Sequence, residues 1–371
     1  MGVIVPLLLI VISGWVIWKA SDGFESASAF IGRNLSNGVR GATINAIASS
    51  MPEFFLTLFF LFVLNDKDGF AGGMGTTAGS SLFNGMIIPA CVIIAVHLSK
   101  MGRDIVVSRK LMVRDGIFLL IEILVLIFIV SKKELYWYHG MALMSIYLVY
   151  IVFLFFSGAI DKSHSNNEIF EKSGKKESFI MDAMQIDLYA LVIGNKKFNT
   201  FNAWVLLSVS TIVMGASCML LVHASEMLGQ DKYTLPLIGE VQGLKMPILF
   251  VALIIAAAAS SLPDTIISIK DAKKGNFNDA ISCALGSNIF DIGFALGFPL
   301  FIYGILRGSL DLGEKMVSVI IPILWVLFAL TVLSFLIYVI GKRMSKTKAI
   351  MLIFSYLIFV VYAAAKSLSL I

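Results

Sequence analysis

The chain has 371 residues, 58% hydrophobic and 14% charged, with a net charge of +5 and a mean hydropathy of +0.90. Soluble domains average about 45–50% apolar and about 25% charged residues, so a water-facing surface over the whole chain is excluded. Eight prolines and three cysteines, with no Gly-x-y period, exclude disordered, collagen-like and disulfide-scaffold classes, and basic residues scattered between apolar runs exclude a nucleic-acid partner.

A membrane protein remains. A bilayer core takes about 20 apolar residues per helix, and ten such stretches are predicted, at roughly 3–18, 27–64, 72–98, 116–131, 140–159, 202–225, 246–269, 276–306, 316–341 and 349–366. The first has no basic residue ahead of it and no clear cleavage site, so it is read as a retained span and not a signal peptide. Spans two, three, seven and eight are interrupted by Gly, Ser, Asn, Pro and acidic residues. Lys and Arg mark the cytoplasmic side. With the N-terminus outside, 21 of the 29 basic residues fall on the inner side and eight on the outer. Trp15, Trp18, Trp137 and Tyr138 fit interfacial aromatic belts, His97 and His223 lie near span ends, and Cys91, Cys218 and Cys283 read as small hydrophobes.

The polar stretch 160–178 divides the ten spans into two sets of five. Residues 179–199, with Asp182 and Asp187 among apolar neighbours, read as an interfacial helix or a lead-in to span six. The predicted domains are a first five-helix repeat over 1–159, a cytoplasmic linker with its interfacial helix over 160–201, and a second repeat over 202–371.

The halves share two motifs. Residues 46–53 (AIASSMPE) match 257–264 (AAASSLPD), and 79–84 (GSSLFN) match 286–291 (GSNIFD). Five spans per half is an odd number, so the second copy enters the membrane inverted. The expected fold is therefore an all-α membrane protein of ten transmembrane helices in two inverted five-helix repeats, N-out and C-out. Inverted repeats with broken helices are how secondary transporters build a midplane site.

An acidic residue inside a helix bundle is costly and marks a functional site. Glu53 follows Pro52 and Asp264 follows Pro263; each proline frees a carbonyl four residues earlier, at Ala48 and Ala259. Ser49 and Ser50 lie four and three residues before Glu53, on its helical face, and Ser260 and Ser261 stand likewise to Asp264. Ser80 shares a face with Asn84, and Ser287 with Asp291. The set is carboxylate, hydroxyl, amide and carbonyl oxygen, with no thiolate or imidazole, which suits Ca²⁺ or alkali cations and not zinc or copper. Three ionised carboxylates carry −3: one Ca²⁺ leaves −1, whereas three Na⁺ neutralise it. A site costly to bury empty favours exchange over leak.

Small residues in these spans are ordinarily packing surfaces, the reading taken for Gly79 and Gly286. Glu122, in span four, has no counterpart in the repeat. It is read as reaching the interface or pairing with a neighbouring helix, with a proton or accessory cation site as the alternative.

At the motif residues the chain resembles the cation/Ca²⁺ exchanger superfamily, whose two α-repeats carry G-T-S-x-P-E/D and G-S-N-x-x-N/D signatures. The resemblance is specific over 40–90 (α-1) and 250–300 (α-2). It implies that Ser49, Ser50, Glu53, Ser80 and Asn84, with Ser260, Ser261, Asp264, Ser287 and Asp291, line Na⁺ and Ca²⁺ sites, and that spans one and six slide against the other eight. Ala-Ser replaces the usual Gly-Thr in both copies, and Ser81 stands where Asn is usual. Asp264 with Asp291 is similar to the K⁺-dependent branch, while the G-N-x-x-E pattern of the H⁺/Ca²⁺ branch is missing.

The expectation is an antiporter exchanging Na⁺, with or without K⁺, for Ca²⁺. H⁺/Ca²⁺ exchange is the alternative and a cation channel a remote one. An intramembrane protease lacks its Y-D with G-x-G-D or H-E-x-x-H motifs, so no enzyme activity is expected. No cofactor and no obligate protein partner are expected; Ca²⁺ and Na⁺ are substrates and the lipid bilayer is the surroundings. Short tails and a short linker give the expectation of a prokaryotic plasma (inner) membrane.

Overall fold

The computed structural model describes residues 2–34, 46–64, 66–99, 105, 107–156, 179–194, 198–235, 239–275, 277–341 and 343–368. The linker 160–178, the start of the first motif region at 40–45, and Arg40, Lys100, Arg103, Lys196, Lys197 and Lys342 of the basic count lie outside them.

The described residues are mostly helical. Nine helices among them are long and apolar enough to cross a membrane. In chain order the elements are α1 (Ile4–Ile31), followed by a single 3₁₀ turn, Gly32–Asn34; α2 (Ala46–Phe59), extended by the π turn Phe60–Leu64; α3 (Asp66–Leu82), joined through the π turn Phe83–Ile87 to α4 (Ile88–Leu98); α5 (Arg109–Val130); and α6 (Trp137–Phe156). Two short helices, α7 (Phe179–Gln185) and α8 (Leu188–Val192), precede α9 (Thr200–Gly229). Then come α10 (Ile248–Val251), the π turn Ala252–Ala256, α11 (Ala257–Ser260) and α12 (Leu262–Lys274); α13 (Phe277–Phe290), the π turn Asp291–Leu296 and α14 (Gly297–Arg307); α15 (Gly313–Val339); and α16 (Lys346–Ser367). The expected fourth span coincides with α5, 22 residues long. It stands outside the nine because Arg114, Asp115 and Glu122 load its apolar stretch with charge.

Two boundaries differ from expectation. Residues 27–31, read with span two, continue α1, whose 28 residues measure about 42 Å. The apolar run ends near Lys19, but the backbone carries on as helix. Asp22 on this extension accepts from Lys270 Nζ at 3.4 Å. Residues 179–194, read as one interfacial helix or a lead-in to span six, hold two short helices, with Asp187 capping α8 by accepting from the Ala190 amide at 3.0 Å.

Proline acts differently in the two copies. The second copy breaks at Ser261 (φ −83°, ψ 2°), and α12 restarts with Pro263 in its first turn, where the missing N–H costs nothing. In the first copy α2 runs through Pro52 unbroken. All four interrupted spans contain a π turn, a feature frequent at functional sites. Those in spans three and eight begin one residue before Asn84 and at Asp291, positions matched by the repeat.

Packing separates two apolar clusters. α1 and α9 lie along each other and bury Ile10, Ile17, Leu206, Met214 and Leu221 with one face of spans two and seven, including Leu56, Val251 and Ala256. Spans three, four, five, eight, nine and ten form the larger cluster around Met74, Leu119, Ile123, Ile289, Leu327 and Leu352. Its exterior is equally apolar: Phe128, Leu148, Phe354 and Val361 stand exposed, as does Ile212 on α9. Patches of that kind are wrong for water and right for lipid. The chain is a multi-pass membrane protein.

Connections on the N-terminal side of the bundle meet one another. The hairpin β2 (Lys232–Leu235) and β3 (Gly239–Gln242) lies against the chain start, with the Tyr233 hydroxyl donating to the Gly2 carbonyl. β1 (Glu134–Leu135) pairs antiparallel with β4 (Leu310–Asp311), joining the four–five and eight–nine connections.

Candidate cation site

The four interrupted spans converge, and all ten residues singled out from the motifs are buried there: Glu53, Ser50, Ser80, Asn84, Ser260, Ser261, Ser287 and Asp291 fully, Asp264 and Ser49 almost so. Ser80 is the hub. Its Oγ lies 3.1 Å from Glu53 Oε1, 3.0 Å from Ser261 Oγ and 3.3 Å from Asp291 Oδ2, and it accepts from Asn84 Nδ2 at 3.3 Å. The Asn84 amide also donates to Asp264 Oδ2 at 3.3 Å, and Ser49 Oγ meets Ser287 Oγ at 3.1 Å. Five of these six contacts cross between the two halves of the chain or between spans two and three; only Asn84 to Ser80 is local.

The remaining serines divide. Ser260 donates to the Ala257 carbonyl at 3.1 Å, the local bond ordinary for a serine in a membrane helix, and lies beside Glu53. Ser50 is buried next to Asp291.

A hydroxyl has one proton, so Ser80 donates to only one of its acceptors at a time. Four acceptor oxygens, Glu53 Oε2, Asp264 Oδ1, Asp291 Oδ1 and Asn84 Oδ1, are buried with no donor among the described residues. None of the three carboxylates is in an ion pair among the described residues. Burying an ionised carboxylate without compensation is prohibitive, so the arrangement calls for positive charge it does not itself contain. Among the described residues no three His, Cys, Asp or Glu side chains form a compact metal-binding group. Hydroxyl and amide oxygens sit between the carboxylates, an oxygen-only set suited to hard cations.

The two motif glycines behave differently. A Cβ on Gly79 would run into the Leu253 carbonyl and lie 2.7 Å from Ala257 Cβ, so α3 packs directly on span seven there. A Cβ on Gly286 would meet nothing nearer than the Tyr150 hydroxyl at 3.8 Å; close packing does not explain that glycine.

Two residues stand out that motif reasoning did not select. Asn288 Nδ2 donates to the Ser81 carbonyl at 2.9 Å, tying span eight to span three behind the carboxylates. Its place in the second copy's GSN triplet, which matches GSS at 79–81, was the available signal. Glu122 does not reach the interface: it is wholly buried, against Gly293, and forms no ion pair among the described residues. The reason is spatial, since Gly293 has no side chain to occupy the space its carboxyl fills.

The model of the family described as "Sodium/calcium exchanger protein" matches residues 5–156 and 202–365. Among curated relatives, sodium/potassium/calcium exchanger 3 of Homo sapiens is 30% identical over 128 residues, 34% of this chain and 18% of the relative. Sodium/potassium/calcium exchanger 5 of Homo sapiens is 24% identical over 366 residues, 81% of this chain and 71% of the relative. Two solved structures share the fold: the H⁺/Ca²⁺ exchanger CAX (TM-score 0.62, 14% identity, 98% of this chain and 86% of that one) and the sodium-calcium exchanger NCX_Mj (TM-score 0.53, 18% identity, 97% and 98%). With its matched segments taking in both motif regions and all but the linker and the chain ends, this chain belongs to the sodium/calcium exchanger protein family, a family of transporters and not of enzymes.

Proposed function

We propose that the chain is a cation/Ca²⁺ antiporter exchanging Na⁺, with or without K⁺, for Ca²⁺ by alternating access. Glu53, Asp264 and Asp291, with Asn84, Ser49, Ser50, Ser80, Ser260, Ser261 and Ser287, are its ion ligands. The observation that carries this reading is the set of four acceptor oxygens on three carboxylates and one amide, drawn from both halves of the chain, that have no donor among the described residues. A site carrying −3 that takes either one Ca²⁺ or several Na⁺ is costly to bury with neither, so its ions cross by exchange.

The transport frame is ten spans in two inverted repeats, residues 1–159 and 202–371, joined by a cytoplasmic linker, with both termini outside. The contacts of Gly2 with the 232–242 hairpin, of β1 with β4 and of Asp22 with Lys270 agree with strict alternation of the spans. The basic residues put the N-terminus outside. α1 and α9 form the moving pair, supported by the cluster they share apart from the main one. A prokaryotic plasma membrane is the setting.

The test is ⁴⁵Ca²⁺ uptake by proteoliposomes holding the purified chain, with Na⁺, K⁺ and H⁺ gradients imposed separately. Uptake driven by an outward Na⁺ gradient is expected. Uptake driven by a pH gradient and indifferent to Na⁺ would replace this reading with H⁺/Ca²⁺ exchange, and flux needing no counter-ion would replace it with a channel.

A further inference from the structure

The cation site leaves one intramembrane acid unused. Glu122 on α5 is fully buried, and neither of its carboxyl oxygens has a hydrogen-bond partner among the described residues. A Cβ at Gly293 would lie 2.6 Å from its Oε1, so the carboxyl rests on the backbone of the π turn that opens at Asp291, two residues earlier. On α6 the Tyr147 hydroxyl interacts electrostatically with Glu122 and is itself buried without a hydrogen-bond partner among the described residues. Phe290 and Phe294 pack on the Tyr147 ring at centroid distances of 5.4 and 6.2 Å.

One helix contains its own comparison. Asp115 lies seven residues before Glu122, on the same face of α5, and is equally buried. Its charge is met by Arg114 Nε at 2.6 Å and by the Tyr150 hydroxyl at 3.2 Å. Antiparallel α5 and α6 thus set two acid–tyrosine tiers side by side, Asp115 with Tyr150 and Glu122 with Tyr147, and only the first has a cation. Among the described residues, the other elements packed on α5 supply none at the second tier. α15 has no titratable residue between Lys315 and Tyr338, α13 has none after Cys283, and the π turn has Asp291 alone.

A lone carboxylate in such surroundings is untenable. It needs a positive charge, and the ligands decide which. Na⁺ and Ca²⁺ want several oxygens, whereas two phenylalanine rings, a glycine and one phenol offer few. A proton needs one oxygen. We propose that Glu122 is a proton-binding site separate from the cation site and linked to it through the Asp291–Leu296 turn. Losing that proton adds a negative charge close to Asp291, so cations bind more tightly as the proton leaves. By linkage, cation binding in turn expels it.

The test is infrared difference spectroscopy on the purified full-length chain in lipid, with Ca²⁺ added and removed at fixed pH. A protonated-carboxyl stretch that shifts in D₂O and falls when Ca²⁺ binds is expected in the wild type and should vanish in Glu122→Gln. Tyr147→Phe, which leaves the acid in place, should move the band without abolishing it. A band unchanged in both variants would overturn the proposal. So would a Glu122→Gln protein that binds fewer Ca²⁺ ions at saturation, since Glu122 would then be a cation ligand. Should Glu122→Gln not fold, an unmoved band in Tyr147→Phe overturns it alone. The spectra need no transport, so failure of Na⁺-driven uptake bears on the exchange reading and not on this one.

Discussion

Glu53 and Asp291, 238 positions apart, approach the same hydroxyl: Ser80 Oγ stands 3.1 Å from Glu53 Oε1 and 3.3 Å from Asp291 Oδ2. One proton between two carboxylates leaves one of them short at every instant. A cation that draws on both removes the conflict, and the Ser80 oxygen is then free to act as a ligand itself.

Ser80→Ala is therefore expected to do more harm than Ser287→Ala, whose hydroxyl meets only Ser49 among the hydrogen bonds described above. A hydrogen bond to a charged group contributes about 1.5–3 kcal/mol, so Ser80→Ala should weaken apparent Ca²⁺ affinity about tenfold to a hundredfold. ⁴⁵Ca²⁺ uptake against Ca²⁺ concentration measures it; equal effects of the two substitutions would contradict the hub role.

Glu53→Gln and Asp264→Asn each remove one negative charge and add an amide donor to a site built of acceptors. Each is expected to abolish Na⁺-driven Ca²⁺ uptake while the purified protein keeps its elution profile. Near-normal flux in both would remove these residues from the ion path.

Gly79→Ala should lower the melting temperature of the detergent-solubilised protein, because overpacking of this kind costs about 1–3 kcal/mol and the obstructing atom is the Leu253 carbonyl, which cannot rotate away. Gly286→Ala has room and should melt with the wild type. The pair is informative because the two glycines occupy the same place in the repeated motif.

A Cβ on Gly14 would lie 3.4 Å from Ala259 Cβ, close to the spacing of a disulfide. With Cys91, Cys218 and Cys283 replaced by alanine, Gly14→Cys with Ala259→Cys should cross-link α1 to α11. If α1 must slide, oxidation stops uptake and reduction restores it; unimpaired uptake by the fully oxidised protein would show that α1 stays still.

The motif residues were legible because each appears twice. A single acid in an apolar run can be a chance or a snorkelling side chain, but Glu53 and Asp264, each after Ser-Ser and Pro, share one explanation, and all ten residues named from the motifs are buried together. Glu122 was illegible for the opposite reason. The string around it reads the same whether its carboxyl climbs to the headgroups or is buried, and the deciding fact is the missing side chain at Gly293, 171 positions away. The reach of α1 past Lys19 was hidden because hydropathy reports where the hydrocarbon ends and not where the helix does. The unlike behaviour of Pro52 and Pro263 depends on whether the chain restarts a helix just before the proline, which local sequence does not state.

Backbone pairing of β1 with β4 fastens the first half of the chain to the second on one face of the bundle, as Asn288 and Ser81 do inside it. If the motif residues are the ion ligands, as proposed above, the ligand cage is a fixed frame and the entrances are what change. Ion preference would then be the same from either side of the membrane, and the direction of net transport would be left to the gradients alone.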